Sequence, residues 1–141
     1  MKKIYVLLFI ATNLISIGCS DDDDSSANSL ANDPIIGEWA VEFTETVEIE
    51  GETFTYSFSG TFTFNDNGTA VQEGTITFEG ESETESDAFT WENASSNPNF
   101  NSTTQNYIWY GEDSISATFS SDFNTVTIRD EEGSEVVCTR N

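Results

Sequence analysis

Acidic side chains are the main candidates for catalysis or metal binding in this 141-residue sequence, which contains no histidine. Without histidine, neither a Ser-His nor a Cys-His nucleophile can be assembled, and the usual acid and base at neutral pH is missing. Carboxylates remain, and they can hydrolyse a glycosidic bond as a pair or bind a hard cation such as Ca²⁺ as a group. Two alternating series stand out: Glu48, Glu50 and Glu52, and Glu79, Glu81, Glu83 and Glu85.

Both acidic series are predicted to lie on a solvated outer face of β-strands. Every second residue of a strand points to the same side, so each series places its carboxylates side by side. Because a row of like charges is costly to bury, exposure is the favoured interpretation, with loose Ca²⁺ association and catalysis as alternatives. The segment 65–68 lacks the spacing and the distal Glu of a calcium loop. We therefore predict no enzyme activity, no cofactor and no metal site.

The two cysteines have different predicted roles. A disulfide between Cys19 and Cys138 is formally open to a secreted chain, but the residues before Cys19 indicate another use for that thiol. Cys138 is then a lone cysteine on the last predicted strand, where we expect a buried, unreactive thiol.

The charge balance excludes one class of partner. Lys2 and Lys3 lie in the first segment, so the rest of the chain has only Arg129 and Arg140 against 26 acidic residues. Binding to a phosphate backbone needs clustered Lys and Arg, and an acidic surface is repelled by it. We expect no nucleic-acid partner.

A period of two residues begins at Gly37 and continues to the C-terminus. Large apolar residues alternate with Glu and Thr, which is typical of half-buried strands, and Asn-Gly and Glu-Gly pairs mark the turns between them. The stretch 92–102 is predicted to be a loop, and no amphipathic helix of ordinary length is found. The predicted strands cover residues 37–49, 53–64, 69–78, 82–91, 103–110, 114–120, 125–130 and 134–140.

Eight short-linked strands predict an all-β domain. An eight-stranded antiparallel up-and-down barrel is favoured, since closure removes exposed strand edges, and a β-sandwich is the alternative. In a closed barrel the last strand pairs with the first, which places Arg140 beside Trp39.

The barrel interior is predicted to be either a pocket or a solid core. An eight-stranded barrel is just wide enough to be filled by its own side chains or to hold one small ligand. Bulky rings such as Phe62 favour filling, whereas Gly60 and Glu45 interrupt it, and we expect Glu45 near a wet mouth. A small apolar ligand would contact Tyr56, Phe58, Tyr107 and Trp109, with core packing as the alternative role of each.

The N-terminal 18 residues predict a signal peptide, because Lys2 and Lys3 precede an apolar run too short to span a membrane. The end of this run, Ser16–Cys19, resembles a lipobox, which implies that Cys19 receives diacylglycerol and becomes the mature N-terminus. An ordinary cleaved signal or an uncleaved anchor is the alternative. Residues 19–33 are predicted to be a flexible acidic tether. Its start, Cys-Ser and four Asp, resembles the signal that exports lipoproteins of the Bacteroidota to the cell surface.

Residues 34–141 resemble a lipocalin-like domain. Gly37-Glu38-Trp39 is similar to the Gly-x-Trp that opens such domains, and 64–69 is similar to the Phe-Asn-x-x-Gly-Thr hairpin of secreted bacterial members. The resemblance implies a 3₁₀ segment, assigned to residues 33–36, and an Arg packed over Trp39, for which Arg140 is the first candidate and Arg129 the second. The long C-terminal helix of full-size members is missing.

Two functions are therefore considered. The first is a lipoprotein anchored through Cys19 to the outer membrane and exposed at the cell surface, whose barrel binds a small apolar ligand or serves as a recognition module. The second is a structural or adhesive surface protein with a filled barrel, whose loops, particularly 92–102, contact a macromolecule or glycan.

Overall fold

Eight antiparallel strands follow the two-residue period of the sequence in the computed structural model, which describes residues 30–141. A single 3₁₀ turn, Leu30–Asn32, precedes them. The strands are β1 (Gly37–Ile49), β2 (Glu52–Phe64), β3 (Thr69–Phe78), β4 (Glu81–Asn93), β5 (Thr104–Trp109), β6 (Asp113–Phe119), β7 (Thr125–Arg129) and β8 (Glu135–Arg140).

The strands close into a barrel in sequence order, so the prediction of an up-and-down barrel is confirmed and the sandwich alternative is wrong. Trp39 pairs with Arg140 and Val41 pairs with Cys138, which makes the first and last strands hydrogen-bonded neighbours as predicted. The pairing register runs without interruption through every strand pair. The side chains of alternate residues therefore keep to the inner face all the way round.

The barrel is asymmetric because its first four strands are much longer than its last four. The β4–β5 pairing covers only three residue pairs, 91–93, and the β1–β8 pairing covers only 39–41. The distal halves of the β1–β2 and β3–β4 hairpins, residues 42–59 and 74–85, thus extend beyond the short strands; we call them the distal sheet. Within the described chain, β1 and β4 have no neighbour on their outer side there. The end that carries the distal sheet is called the open end, and the opposite end the closed end.

The closed end is filled with large side chains. Their inward direction follows from the register, and together they remove a continuous apolar surface from water, which is the main source of stability in such a domain. The most completely buried large side chains at this end are Trp39, Tyr107, Phe64, Ile35, Val126 and Cys138, and Phe58 of the distal sheet is buried to the same degree.

A pair of glycines makes room for one of these rings. Gly60 and Gly74 face each other across β2 and β3, and the ring of Phe58 covers both. A Cβ atom on Gly74 would lie 2.5 Å from Cζ of Phe58 and 2.7 Å from the Ser59 carbonyl oxygen, closer than van der Waals contact allows. Gly60 is therefore not a gap in the core, as the sequence suggested, because it belongs to a socket for Phe58.

Two details of the N-terminal region differ from expectation. The 3₁₀ turn lies at Leu30–Asn32 rather than at 33–36. Leu30 packs against the core and Asp33 is buried, so residues assigned to the tether pack with the barrel. The signal peptide, Cys19 and the rest of the tether lie outside the described residues. Within residues 30–141 no helix has the length and hydrophobicity needed to cross a membrane.

The prediction that the acidic series lie on an outer face is wrong for β4. Glu83 and Glu85 share the inner face with Phe89 and Trp91, since all four have the same parity in one uninterrupted register. They remain accessible to solvent because this part of β4 extends beyond the short strand β5 and is not covered by it. The other series is divided: Glu48 is on the outer face of β1, and its neighbours occupy the turn and the start of β2.

Candidate functional site

The closed end is sealed by Arg140. Its guanidinium lies 4.2 Å from the ring centre of Trp39, so the predicted contact between them is confirmed for Arg140. It also donates hydrogen bonds to three backbone carbonyls, of Pro34 (2.7 Å), Ile36 (2.9 Å) and Phe123 (3.1 Å). Gly37 has a φ of 121°, and a Cβ there would lie 2.8 Å from Nη1 of Arg140. The glycine of the Gly-x-Trp pattern thus makes space for the guanidinium.

Every buried polar group around Asp33 has a partner. The Asp33 carboxylate accepts hydrogen bonds from the Tyr107 hydroxyl (2.6 Å), the Ile35 amide (3.0 Å) and the Asn93 side chain (2.9 Å). Gln105 continues this network to the loop carbonyls of 99 and 102. Burial, and then the negative charge of Asp33, raise the pKa of Tyr107 far above its ordinary value. This arrangement stabilises the fold and leaves no unoccupied donor for a ligand.

The open end has a different composition. The inner face of β1–β4 forms transverse rows of paired residues, and each row ends in a carboxylate on β4. The row of Glu45, Tyr56 and Phe78 ends at Glu81. The rows, written from β1 to β4, are Glu45-Tyr56-Phe78-Glu81, Phe43-Phe58-Ile76-Glu83, Val41-Gly60-Gly74-Glu85 and Trp39-Phe62-Gln72-Asp87.

Tyr56 occupies the centre of this face. It lies opposite Glu45 on β1, and its hydroxyl oxygen is enclosed without a hydrogen-bond partner among the described residues. Burial, followed by the charges of Glu85 and Glu45, raises the pKa of Tyr56 to about 12. Both carboxylates therefore act on the same hydroxyl, although neither is bonded to it.

Other buried polar groups on this side of the barrel also have no partner within residues 30–141. They are Nε1 of Trp109 and Oδ2 of Asp130. Gln72 faces Asp87 on the inner face and is 7% exposed. An enclosed donor or acceptor without a partner costs about 1–3 kcal/mol.

Aromatic rings beside these groups are partly uncovered. Phe54 and Phe78 stack with ring centres 5.8 Å apart, and Phe43 lies 6.0 Å from Tyr56. Phe78 is 46% exposed because no strand of the short half covers it. The inner face of the distal sheet thus presents rings and carboxylates together.

The four predicted ligand contacts and Glu45 are not brought to one place. Glu45 and Tyr56 are direct neighbours at the open end, and Trp109 lies deeper, 9% exposed against Phe64 and Phe89. Tyr107 is fully buried in the closed-end network, and Phe58 fills the glycine socket. Sequence reasoning placed Glu85 on the outer face and did not single out Gln72. The alternation of Glu83, Glu85, Asp87 and Phe89 is a signal that could have placed Glu85 on the inner face.

Two clefts of the described chain differ from an interior pocket, since neither is enclosed. A cleft of about 390 Å³ lies where β4 leaves β5, beside Phe89 and Tyr110, and one of about 330 Å³ lies over the β1–β8 pairing, beside Glu42 and Val137. Both are open and shallow. Residues 30–141 contain no cluster of three or more Cys, Asp or Glu suited to a metal ion. Comparison with family models, curated proteins and solved structures finds no match for this chain.

Proposed function

We propose that this protein is a lipoprotein, anchored through Cys19 to the outer face of the outer membrane, whose lipocalin-like barrel is a binding module with its ligand surface at the open end. The proposal includes no catalysis. The observation that carries it is the uncovered inner face of the distal sheet, where Phe78 and its stacked neighbour Phe54 remain partly exposed.

The barrel restricts a ligand to this end. The closed end is filled by fully buried rings such as Trp39 and Tyr107, and its polar groups are bonded to one another. At the open end, apolar rings lie beside the Tyr56 hydroxyl, which has no hydrogen-bond partner among the described residues. Binding surfaces in proteins commonly combine an apolar lining with a few polar groups that orient the ligand.

The position of the N-terminus supports display of the open end. Leu30 packs at the closed end, since the Asp33 amide bonds to its carbonyl and Asp33 bonds to Tyr107. Leu30 lies eleven positions after Cys19, a length of chain that can span at most about 40 Å. An anchor at Cys19 therefore joins the barrel from its closed side. The turns of the open end carry Glu50, Glu79 and Glu112, so anionic head groups would repel that end.

A neutral fluorescent probe tests the binding surface. Nile red titrated into the full chain should give a saturable 1:1 fluorescence increase. The substitutions Phe54→Ser and Phe78→Ser together should weaken this binding at least tenfold, because they remove the exposed rings. Val137→Ser is the matched control, since Val137 is equally exposed but lies on the outer face of β8. Equal effects of the two variants would contradict the proposal.

The filled closed end favours a second candidate, a structural or adhesive surface protein without a ligand. In that case the titration gives no saturable signal with any hydrophobic probe, and the loops carry the function.

Mass spectrometry of the mature N-terminus tests the anchor. We expect an acylated Cys19 as the first residue and loss of acylation in Cys19→Ala. A cysteine introduced at Glu79 in the open-end turn should react with an impermeant maleimide on intact cells. Labelling only after lysis would contradict display of this end.

A further inference from the structure

We propose that the free outer edge of β1, residues 43–49, binds an extended basic segment of a partner protein, which joins the distal sheet as an added antiparallel strand. This edge is distinct from the aromatic rings of the proposed ligand surface. The inference therefore goes beyond the proposed function and does not depend on it.

The backbone groups of this edge have no partner strand within residues 30–141. The Asn141 amide bonds to the Glu38 carbonyl, so the even-numbered residues of β1 direct their N–H and C=O groups away from β2, towards the side of β8. The pairing of β1 with β8 ends at Val41. Beyond residue 42, three residues of β1 direct these groups to a side that no described strand covers: Thr44, Thr46 and Glu48.

The β1 edge is poorly protected against strand addition. Proteins usually hinder such addition with proline, a bulge or inward-facing charges. The register of β1 with β2 is uninterrupted, and residues 43–49 contain no proline and mostly favour strands. Of the two glutamates in this segment, only Glu45 has the parity of the inner face.

The other free edge of the distal sheet, on β4, is protected in the usual way. Four carboxylates of this strand share the inner face: Glu81, Glu83, Glu85 and Asp87. Inward charges of this kind oppose the approach of another strand. The two free edges are thus unequal, and β1 provides the accessible one.

Charge selects the kind of strand that fits. Glu45 and Glu48 lie on the free edge of β1, and Glu48 is exposed. The two basic residues of 30–141 are engaged elsewhere, since Arg140 binds three carbonyls at the closed end and Arg129 forms an ion pair on β7 and β8. Opposite charges across a strand pair stabilise it, whereas like charges oppose it. A segment with Lys or Arg opposite these glutamates therefore complements the edge.

A second copy of this chain is the competing occupant of the edge. Each chain has a formal net charge of −22, so two copies repel each other, whereas the same charge attracts a basic segment. We therefore assign the edge to a basic partner, and self-association is an outcome that the experiment detects.

The register of β1 defines the geometry of the added strand. In strand addition, main-chain hydrogen bonds supply affinity and alternate side chains supply specificity. An antiparallel segment of seven residues, about 23 Å long, spans residues 43–49. It bonds to the backbone of the even-numbered residues, and its two basic side chains lie opposite Glu45 on the inner face and Glu48 on the outer face.

The capped peptide Val-Lys-Val-Thr-Lys-Thr-Val tests this geometry, because antiparallel pairing places its lysines opposite Glu48 and Glu45. Isothermal titration of the full chain should show 1:1 binding. At saturation, hydrogen exchange of the amides of residues 44, 46 and 48 should slow at least tenfold, and that of the amides of 82, 84 and 86 on β4 should change less than twofold. Protection on β4 instead, or no binding, would overturn the inference.

Two altered peptides separate strand pairing from charge attraction. N-methylation of the central threonine removes the N–H that faces the Thr46 carbonyl but keeps both lysines, so the affinity should fall at least tenfold. Replacement of both lysines by glutamine keeps the backbone donors and should weaken binding at least fivefold at low salt. Unchanged binding of the methylated peptide would overturn strand addition, and unchanged binding of the glutamine peptide would overturn a basic partner.

Thr46→Pro blocks the edge from the side of the protein. The N–H that it removes points away from β2, so the β1–β2 hydrogen bonds are kept. The matched control is Thr84→Pro on the free edge of β4. The Tyr110 amide bonds to the Thr90 carbonyl, so the even-numbered residues of β4 also direct their N–H groups away from β3. Peptide affinity should fall at least tenfold in Thr46→Pro and change less than twofold in Thr84→Pro; equal losses would overturn the site.

Light scattering of the same variants detects the competing occupant. A dimer of the unmodified chain that Thr46→Pro dissociates would assign the edge to a second copy and overturn the basic partner. If Thr46→Pro does not fold, the methylated peptide tests the same hydrogen bond with the unmodified chain. Nile red binding should change less than twofold in a folded Thr46→Pro variant, so the proposed function and this inference can fail separately.

Discussion

At the scale of single residues, Arg140 is held by contacts to several parts of the closed end. It connects the 34–36 segment, the loop after β6 and the ring of Trp39 through three hydrogen bonds and one cation–π contact. Hydrogen bonds from a charged group contribute about 1.5–3 kcal/mol each when isolated, but those of one side chain are not additive. The planar guanidinium satisfies several carbonyls at once, which a lysine ammonium at the end of a flexible chain cannot reproduce.

We therefore expect Arg140→Lys to lower the free energy of unfolding by about 2–3 kcal/mol, measured by urea denaturation. Arg129→Lys is the control, because its ion pair with Glu135 is exposed and contributes little; its effect should stay within about 0.5 kcal/mol. Similar losses in the two variants would show that the closed end does not depend on the guanidinium.

Cys138 makes stability depend on alkaline pH. Complete burial raises the pKa of its thiol from the ordinary 9.0 to about 12. The folded state therefore holds the proton more tightly than the unfolded state, so the contribution is complete below pH 9 and is lost as the pH rises towards 12.

Between pH 9 and 10 the thiol alone should remove about 1 kcal/mol of stability. Tyr56, Tyr107 and Tyr110, whose pKa values are likewise raised by burial from an ordinary 10.0, together remove a similar amount, about 1 kcal/mol, over the same interval. Urea denaturation at pH 8, 9 and 10 should show the combined decline in the unmodified protein and about half of it in Cys138→Ala. The quantity compared is the change in the free energy of unfolding with pH. A loss of stability that is the same at every pH, caused by the smaller alanine side chain, therefore does not affect the result. An unchanged slope would exclude the thiol as its source.

At the scale of elements, the distal sheet depends on contacts within the two long hairpins. Gly60 and Gly74 bring β2 and β3 together under the Phe58 ring, which then packs 5.7 Å from Phe43. The aromatic inner face is thus fixed by two residues without side chains.

Gly74→Ala should lower the free energy of unfolding by about 1–3 kcal/mol, because the new methyl group overlaps the Phe58 ring and a backbone oxygen. Thr75→Ala, on the outer face of the same strand, is the control and should change stability by less than 1 kcal/mol. In the double variant Gly74→Ala/Phe58→Leu, the loss of stability should be smaller than the sum of the two single losses, because the smaller side chain at 58 leaves room for the new methyl group. Losses that add completely would contradict the Phe58 ring as the source of the overlap.

The free edge of β4 should resist association because of its inward charges. Replacing Glu81 and Glu83 by Thr removes two charges and raises β-propensity, so we expect more dimer or larger oligomer in light scattering after size-exclusion chromatography. The control is Glu92→Thr/Glu132→Thr, which loses the same charge. Neither residue lies on the free edge, and at Glu92 the strand β4 is paired with Ile108 of β5. Equal association of the two variants would assign the effect to net charge.

At the scale of the whole molecule, the barrel combines a closed, filled half with an open, acidic one. The pairings that join the long strands to the short ones, β1 with β8 and β4 with β5, both lie at the closed end. Secondary structure with few buried contacts opens at a lower free energy than the core, so stability should decrease from the closed end to the open end.

Hydrogen exchange should reveal this gradient. Amides of residues 44–56 and 76–86 should be protected at least tenfold less than those of 60–72, although each pair of segments shares the same strands. Uniform protection along β2 would show that the molecule opens as one unit.

The sequence alone determined most of the fold. The two-residue period and the Gly-containing turns specify eight strands, whose observed bounds differ from the predicted ones by at most two residues. The number of strands and the short connections imply closure, and closure places Arg140 at Trp39. These features could be predicted because each depends on local alternation or on the order of strands along the chain.

Only the tertiary structure decided which carboxylates face inward at the open end. Alternation fixes that Glu81, Glu83, Glu85 and Phe89 share a face, but the length of the neighbouring strands decides whether that face is covered. Burial of Tyr107 beside Asp33 and the socket that Gly60 and Gly74 form for Phe58 likewise depend on residues far apart in sequence. A local pattern specifies the direction of a side chain, whereas its surroundings depend on the packing of the whole barrel.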